Sequence, residues 1–300
     1  MTTLAELFTA FQDHAAVYYR TNRSALSHCS YVRDAVSATL DLRQPADDFG
    51  PLKLQSVRET MIRGAWPLAS GERAKPWCRS YINKQVARLV AVFRWGVSQE
   101  LVTVSVVQAL DCVPSLLAGR TSAIEGKGEV RDVPQDVVAK TLPYLPSDEL
   151  RDLVTVQMLC GARGGELLAM RPCDLTFSGV TAEYRPAAHK KAYTGKKRVI
   201  ILGPRALAIV RRRLPLATDG RIFPGYSPTS YRNAVSRAAE RAGVEHWHVH
   251  QLRHAACTSV AAKYGIEAAS HVAGHGNVKT TEIYAHHGVE KARDVMRDVG

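Results

Sequence analysis

Four stretches of this chain hold side chains that could together act on a phosphate ester. In GARGGELLAMRPCDL, Arg163 is followed three residues later by Glu166. Residues three apart on a helix share a face, so Glu166 can hold a neighbouring cation while Arg163 turns its fork outward. A guanidinium grips two phosphate oxygens at once and stays charged at any relevant pH. In HVHQLRHAACTSVAAKYG, His250 and Arg253 have the same spacing, giving a second clamp beside a group that ordinarily titrates near neutrality. The loop AAHKKAYTGKK carries four lysines, and an ammonium at a hairpin tip can donate a proton to a leaving alkoxide. Lys190 and Lys191 both qualify on physics alone. Near the end, AGHGNVKTTEIYAHH places His275 after a glycine and Tyr284 nine positions on. Tyrosine is one of the side chains that forms covalent intermediates, and with arginines and a lysine beside it the fitting electrophile is a phosphodiester.

Singly, each motif reads as well in a plainer way. Arg163 with Glu166 could be a surface ion pair, the lysines a solvated turn, His275 a cap and Tyr284 a half-buried aromatic. His246, His248, His250 and His254 form a local cluster that raises the question of a metal site. Position 251 is Gln, so no H-E-x-x-H glutamate is present, and no cysteine or carboxylate is spaced to complete a ligand set. The expectation is no metal and no cofactor.

Elements must carry these residues to one place. Ile82, Val86, Leu89, Val90, Phe93 and Val97 recur at helical spacing and predict a core-facing helix, with Lys84 and Arg88 four apart on another face as candidate phosphate contacts. Trp66-Pro67 and Gly71 punctuate an earlier loop. AGRTSAIEGKGEV has three glycines, small polar residues and mixed charge, which is linker composition. It divides the chain into 1–118, a linker 119–130, and 131–300. Helical patterning resumes at Pro134 and again from Asp148 to Leu159. The period then changes, and residues 175–177, 180–184 and 198–202 read as short strands, followed by helices from Pro204. The fold class expected is mainly helical, with a small antiparallel sheet of about three strands in the second domain.

Net charge is +12, which favours a polyanionic partner without separating nucleic acid from an anionic membrane. No run of about 18 apolar residues predicts a membrane span. The N-terminus lacks a signal-peptide pattern, and the six cysteines are scattered without a C-x-x-C pair, so the reading is of reduced thiols in a cytoplasmic, nucleoid-associated protein. Lys191, Lys196, Lys197, Arg205 and the run Arg211-Arg212-Arg213 add possible phosphate contacts.

Taken in order, Arg, Lys, His-x-x-Arg, His and Tyr resemble the signature of the tyrosine recombinase (phage integrase) family. Arg163, Lys190, His250, Arg253, His275 and Tyr284 match its six positions, and Glu166 its usual supporting acid. The pattern HK…G…RVI…GPRA resembles a subset in which the lysine directly follows the His, which favours Lys190 over Lys191. That subset usually has Thr at position 191, and some relatives carry Trp where this chain has His275. The resemblance is strong over 131–300 and looser over the first 118 residues. It implies a clamp of two domains on double-stranded DNA, with Tyr284 as nucleophile and a 3′-phosphotyrosine intermediate. Arg163, Arg253 and His275 would stabilise the phosphate, Lys190 would protonate the leaving oxygen, and His250 would exchange a proton with the tyrosine. The arginine clamp supplies the charge that a metal supplies elsewhere. It also implies a monomer in solution that assembles as a tetramer on two duplexes, with no membrane partner. The amphipathic tail carrying Val289, Ala292, Val295 and Met296 would pack on a neighbouring protomer or back on its own core. Two other classes fit the same residues: a type IB topoisomerase-like relaxing enzyme, and a non-catalytic DNA-binding protein on the same scaffold.

Overall fold

The computed structural model describes residues 1–20, 23–64, 66–67, 72–126, 132–187, 198–217 and 220–274. The chain divides into two compact units, Met1–Glu129 and Val130–Gly300. Both are mainly helical, and the second adds one small sheet.

The first unit contains α1 (Leu4–Tyr18), α2 (Arg23–Ser37), α3 (Pro51–Arg63), α4 (Arg79–Ser98) and α5 (Val104–Asp111). Thr3 starts α1: its hydroxyl accepts from the Glu6 N–H while the Glu6 carboxylate accepts from the Thr3 N–H at 2.8 Å. Such a reciprocal cap satisfies donors that a helix start leaves open and contributes about 1 kcal/mol. The expected apolar stripe is the buried face of α4, where Ile82, Leu89, Val90 and Phe93 are buried and Val86 and Val97 pack at the edge. Phe93 stacks on Phe49 with ring centroids 4.7 Å apart. Part of the stretch read as linker, residues 123–125, is fastened to α4. Arg79 N–H donates to the Ile124 carbonyl, its guanidinium pairs with Glu125 at 2.7 Å, and Ala123 is buried. These long-range contacts hold in place a stretch that composition alone reads as loose chain.

In the second unit, α6 (Gln135–Thr141) and α7 (Asp148–Cys160) lead into the short α8 (Gly164–Leu168). Strands β1 (Leu175–Ser178), β2 (Thr181–Tyr184) and β3 (Ile200–Leu202) form an antiparallel sheet in sequential order, with Leu175 opposite Tyr184 and Tyr184 opposite Ile200. Helices then follow: α9 (Pro204–Arg213), α10 (Pro228–Arg241), α11 (Val249–Tyr264) and α12 (Ile266–Ala273). The core gathers on α7. Leu153, Val154 and Val156 are fully buried with Tyr184, Leu202, Leu207, Val235 and Leu252. Ser147 caps α7 by accepting from the Leu150 N–H at 3.2 Å, and Gly161 ends it in the left-handed region at φ +65°. A side chain there would be strained, and its Cβ would stand 3.2 Å from Val272. No helix of the described residues is long and apolar enough to cross a membrane.

Candidate active site

The left-handed turn at Gly161 swings the chain from the end of α7 to the start of α8, and Arg163 sits at that start. Glu166, only 5% exposed, closes on it twice: its carboxylate accepts from the Arg163 N–H at 2.8 Å and from Arg163 Nη1 at 2.8 Å. Tyr184 on β2 pins the same turn by donating its hydroxyl to the Glu166 carbonyl at 2.5 Å. Burial raises the Tyr184 phenol well above its ordinary range, and it stays a neutral donor. The Arg163 side chain remains 34% exposed, so its guanidinium reaches solvent beyond the pair.

The start of α11 is held from two directions, one of them braced by Tyr231. Gln157 on α7 donates to the Val249 carbonyl at 2.8 Å and accepts from the Tyr231 hydroxyl at 2.7 Å. Trp247, buried just before the helix, donates its indole N–H to Thr141 at 3.1 Å. This fixes His250 and Arg253 on the first turns of α11. Arg253 is 1% exposed and works inward. Nη1 donates to the Gly161 carbonyl at 2.8 Å, and Nη2 donates to the Ala273 carbonyl. One guanidinium thereby ties the end of α7 to the end of α12, where helix carbonyls lack partners and a cation is favoured.

His250 differs from the sequence expectation of a group titrating near neutrality. Burial first, then the charges of His254, Arg253 and Arg163, push it down to about 4. The residue as a whole is exposed, and its ring centroid stands 5.1 Å from that of His254. At neutral pH the imidazole is therefore uncharged, and it is a weaker base than an ordinary histidine. Among the described residues, no group of three or more His, Cys, Asp or Glu is placed to hold a metal ion.

Arg198 is the residue that the sequence reading missed. It precedes β3, is 7% exposed, and stands with its Nε 3.7 Å from the Glu166 carboxylate. It adds a third guanidinium to those of Arg163 and Arg253, whose charges it feels. The one sequence signal was an arginine opening an otherwise apolar strand.

Lys190, Lys191, Lys196, Lys197, His275 and Tyr284 lie outside the described residues, as does the tail holding Val289 and Met296. In the first unit, Lys84 is exposed. Arg88 is half-buried in a cavity of about 230 Å³ with His28, Cys29 and Phe11, and the cavity's burial and the charge of Arg88 both depress His28. The arginine run offered as a phosphate-contacting surface is largely committed elsewhere. Arg213 is buried against Asp152 at 3.2 Å and Glu149 at 3.6 Å, and Arg212 pairs with Asp152 at 2.5 Å. Arg211 lies over the Phe177 ring and donates to the Gly179 carbonyl. A basic run on a helix cannot reveal which members face acids on the next element.

Residues 135–291 match the phage integrase family. The XerC tyrosine recombinase of Actinobacillus pleuropneumoniae is 24% identical over 90% of this chain and 86% of its own length. The Tn1549 transposon integrase, solved in complex with a circular intermediate DNA, superposes with a TM-score of 0.72 at 15% identity, covering 99% of this chain and 100% of that one. A lambda integrase tetramer bound to a Holliday junction gives 0.68 at 16% identity, covering 94% and 77%. The chain belongs to the phage integrase family, whose members are tyrosine-type site-specific recombinases.

Proposed function

We propose that this protein cleaves and rejoins DNA at specific sites through a 3′-phosphotyrosine on Tyr284. The observation that carries the reading is the convergence of Arg163, Glu166, His250 and Arg253 around the turn at Gly161, on a chain whose family match also spans Lys190, His275 and Tyr284. The phenolic oxygen of Tyr284 attacks the scissile phosphorus, and the bond from phosphorus to the 5′-oxygen breaks. The phenolic proton passes to His250, which is uncharged at neutral pH. Lys190 delivers a proton to the departing 5′-oxygen. Arg163 and His275 offset charge that develops on the non-bridging oxygens, and Arg253 adds its positive charge from its buried place against the Gly161 and Ala273 carbonyls; a preorganised donor at such an oxygen is worth about a hundredfold or more in rate. Attack by a 5′-hydroxyl on the phosphotyrosine reverses every step, so rejoining conserves the bond energy. Glu166 keeps Arg163 in place.

The first unit, with Lys84 exposed, serves as a DNA-gripping domain and the second as the catalytic domain. By analogy with the lambda integrase tetramer on a Holliday junction, four copies act on two duplexes. A cytoplasmic, nucleoid-associated setting follows from such a substrate.

The test uses nicked suicide duplexes tiled from the DNA that flanks the gene. Wild type should form a covalent protein–DNA adduct on one of them. Tyr284→Phe should bind that duplex with unchanged affinity and form none. An adduct with the Phe variant would remove Tyr284 from its role.

A further inference from the structure

We infer that Arg198 is a positioning residue of the cleavage site: its buried guanidinium clasps the last turn of α12 to the Glu166–Arg163 pair and so holds the turn at Gly274. The inference rests on the strand-cleavage reading above and adds a residue to it.

Three contacts define the clasp. Arg198 Nη2 donates to the Val272 carbonyl at 3.1 Å. Nε stands 3.7 Å from Glu166 Oε1, the same oxygen that receives Arg163 Nη1 at 2.8 Å. The guanidinium also lies against Gly274, where an added Cβ would stand 2.8 Å from Cζ and 3.0 Å from Cδ, and closer still to Nη1. Gly274 has φ +58°, so it combines a left-handed turn with the absence of a side chain that would displace the cation. One residue thus joins the strand, the acid that holds Arg163 and the turn after α12.

This arrangement is costly to the fold. Arg198 is buried, and its Nε and Nη1 have no hydrogen-bond partner among the described residues. A buried cation with unpaired donors is worse for stability than an apolar side chain of similar volume. Packing alone gives no reason for a guanidinium here.

Its reach gives one. α12 has eight residues, and the carbonyls of its last two, Val272 and Ala273, are taken by Arg198 and Arg253. A short helix with its final carbonyls held by two cations has its end fixed in direction, and His275 is the next residue after Gly274. Arg198 itself is shielded behind that turn, with its side chain 5% exposed. It acts through Glu166 and α12 and not on a bound phosphate.

The experiment measures single-turnover cleavage by the full chain, on the duplex that wild type cleaves, for Arg198→Met, Arg198→Lys, Gly274→Ala and Arg163→Ala. A displacement near 1 Å at a reacting group lowers rates by about a hundredfold, which is the fall expected for Arg198→Met. Its affinity for the duplex should stay within about threefold of wild type, and lysine should restore part of the rate. A methylphosphonate at the scissile position removes the charge that an arginine contacting the phosphate offsets. It should rescue Arg163→Ala and leave Arg198→Met slow. Gly274→Ala should slow cleavage as well, and by a smaller factor when combined with Arg198→Met, where no guanidinium remains to be displaced. If Arg198→Met proves too poorly folded to assay, Arg198→Lys and Gly274→Ala carry the test. Cleavage by Arg198→Met within about threefold of wild type overturns the inference, and methylphosphonate rescue of that variant overturns it in favour of direct phosphate contact. Failure of wild type to form any adduct sinks the strand-cleavage reading instead.

Discussion

Glu166→Gln isolates the charge at the centre of the site. The substitution keeps the size of the side chain and one acceptor oxygen while removing the negative charge. That charge faces two guanidinium groups, Arg163 at 2.8 Å and Arg198 at 3.7 Å. At an effective dielectric near 20, the gross attractions lost are about 6 and about 4.5 kcal/mol. Much of this is offset, because a neutral Gln is cheaper to bury and because Arg163, 34% exposed, is screened by water. Breaking a buried pair from one side costs about 3–5 kcal/mol, and the exposure of Arg163 places this case near 3. For a unit of this size, about 2–4 °C per kcal/mol turns that into a fall in Tm of roughly 6–12 °C. Thermal unfolding of the full chain, followed by circular dichroism and calorimetry, checks it. Arg198→Met should shift Tm further upward in the Glu166→Gln background than in wild type, because there the buried cation has already lost its partner. A Glu166→Gln transition within about 2 °C of wild type would show that the carboxylate is not the electrostatic centre of this cluster.

Three further outcomes follow from the same geometry. His250 is held down to about 4 from an ordinary 6.5, so the folded state stays neutral where the unfolded chain takes up a proton. Its stabilising contribution is complete above pH 6.5 and is lost as pH falls toward 4. His250→Gln should flatten that part of the stability profile, and an imidazole NMR titration with a midpoint at or above 6.5 would contradict the assignment. Lys190→Ala should slow cleavage far more than Lys191→Ala, and a 5′-bridging phosphorothiolate, whose leaving group needs little protonation, should rescue the Lys190 variant alone; rescue that follows Lys191 shifts the proton donor by one residue. Binding should weaken steeply with salt. Lys84→Ala should reduce the slope of log K against log salt by about 0.9 if Lys84 meets one phosphate. Arg213→Ala should lower Tm and leave that slope unchanged, since Arg213 already faces Asp152 and Glu149; a shallower slope for Arg213→Ala would return it to the DNA-contacting surface.

The sequence alone determined whatever depends on short-range periodicity and on order along the chain. The stripe from Ile82 to Val97 repeats every three or four residues because one face of a helix must be apolar, and α4 has that face. Alternation and turn residues marked the three strands for the same local reason. The order of Arg163, Lys190, His250, Arg253, His275 and Tyr284 pointed to the family before any contact was known, because chemistry on a phosphodiester restricts the residue types that can serve. Tertiary structure decided what depends on partners far away in the chain. Arg198 joins the cluster because Val272, 74 positions on, offers it a carbonyl, and Arg213 leaves the basic surface because Asp152, 61 positions back, receives it. Arg253 is a strut between α7 and α12 as well as a cation, and His250 loses its ordinary titration through burial beside other positive groups. A side chain's charge is written in its residue type, whereas its direction and the dielectric around it are set by the elements that fold against it.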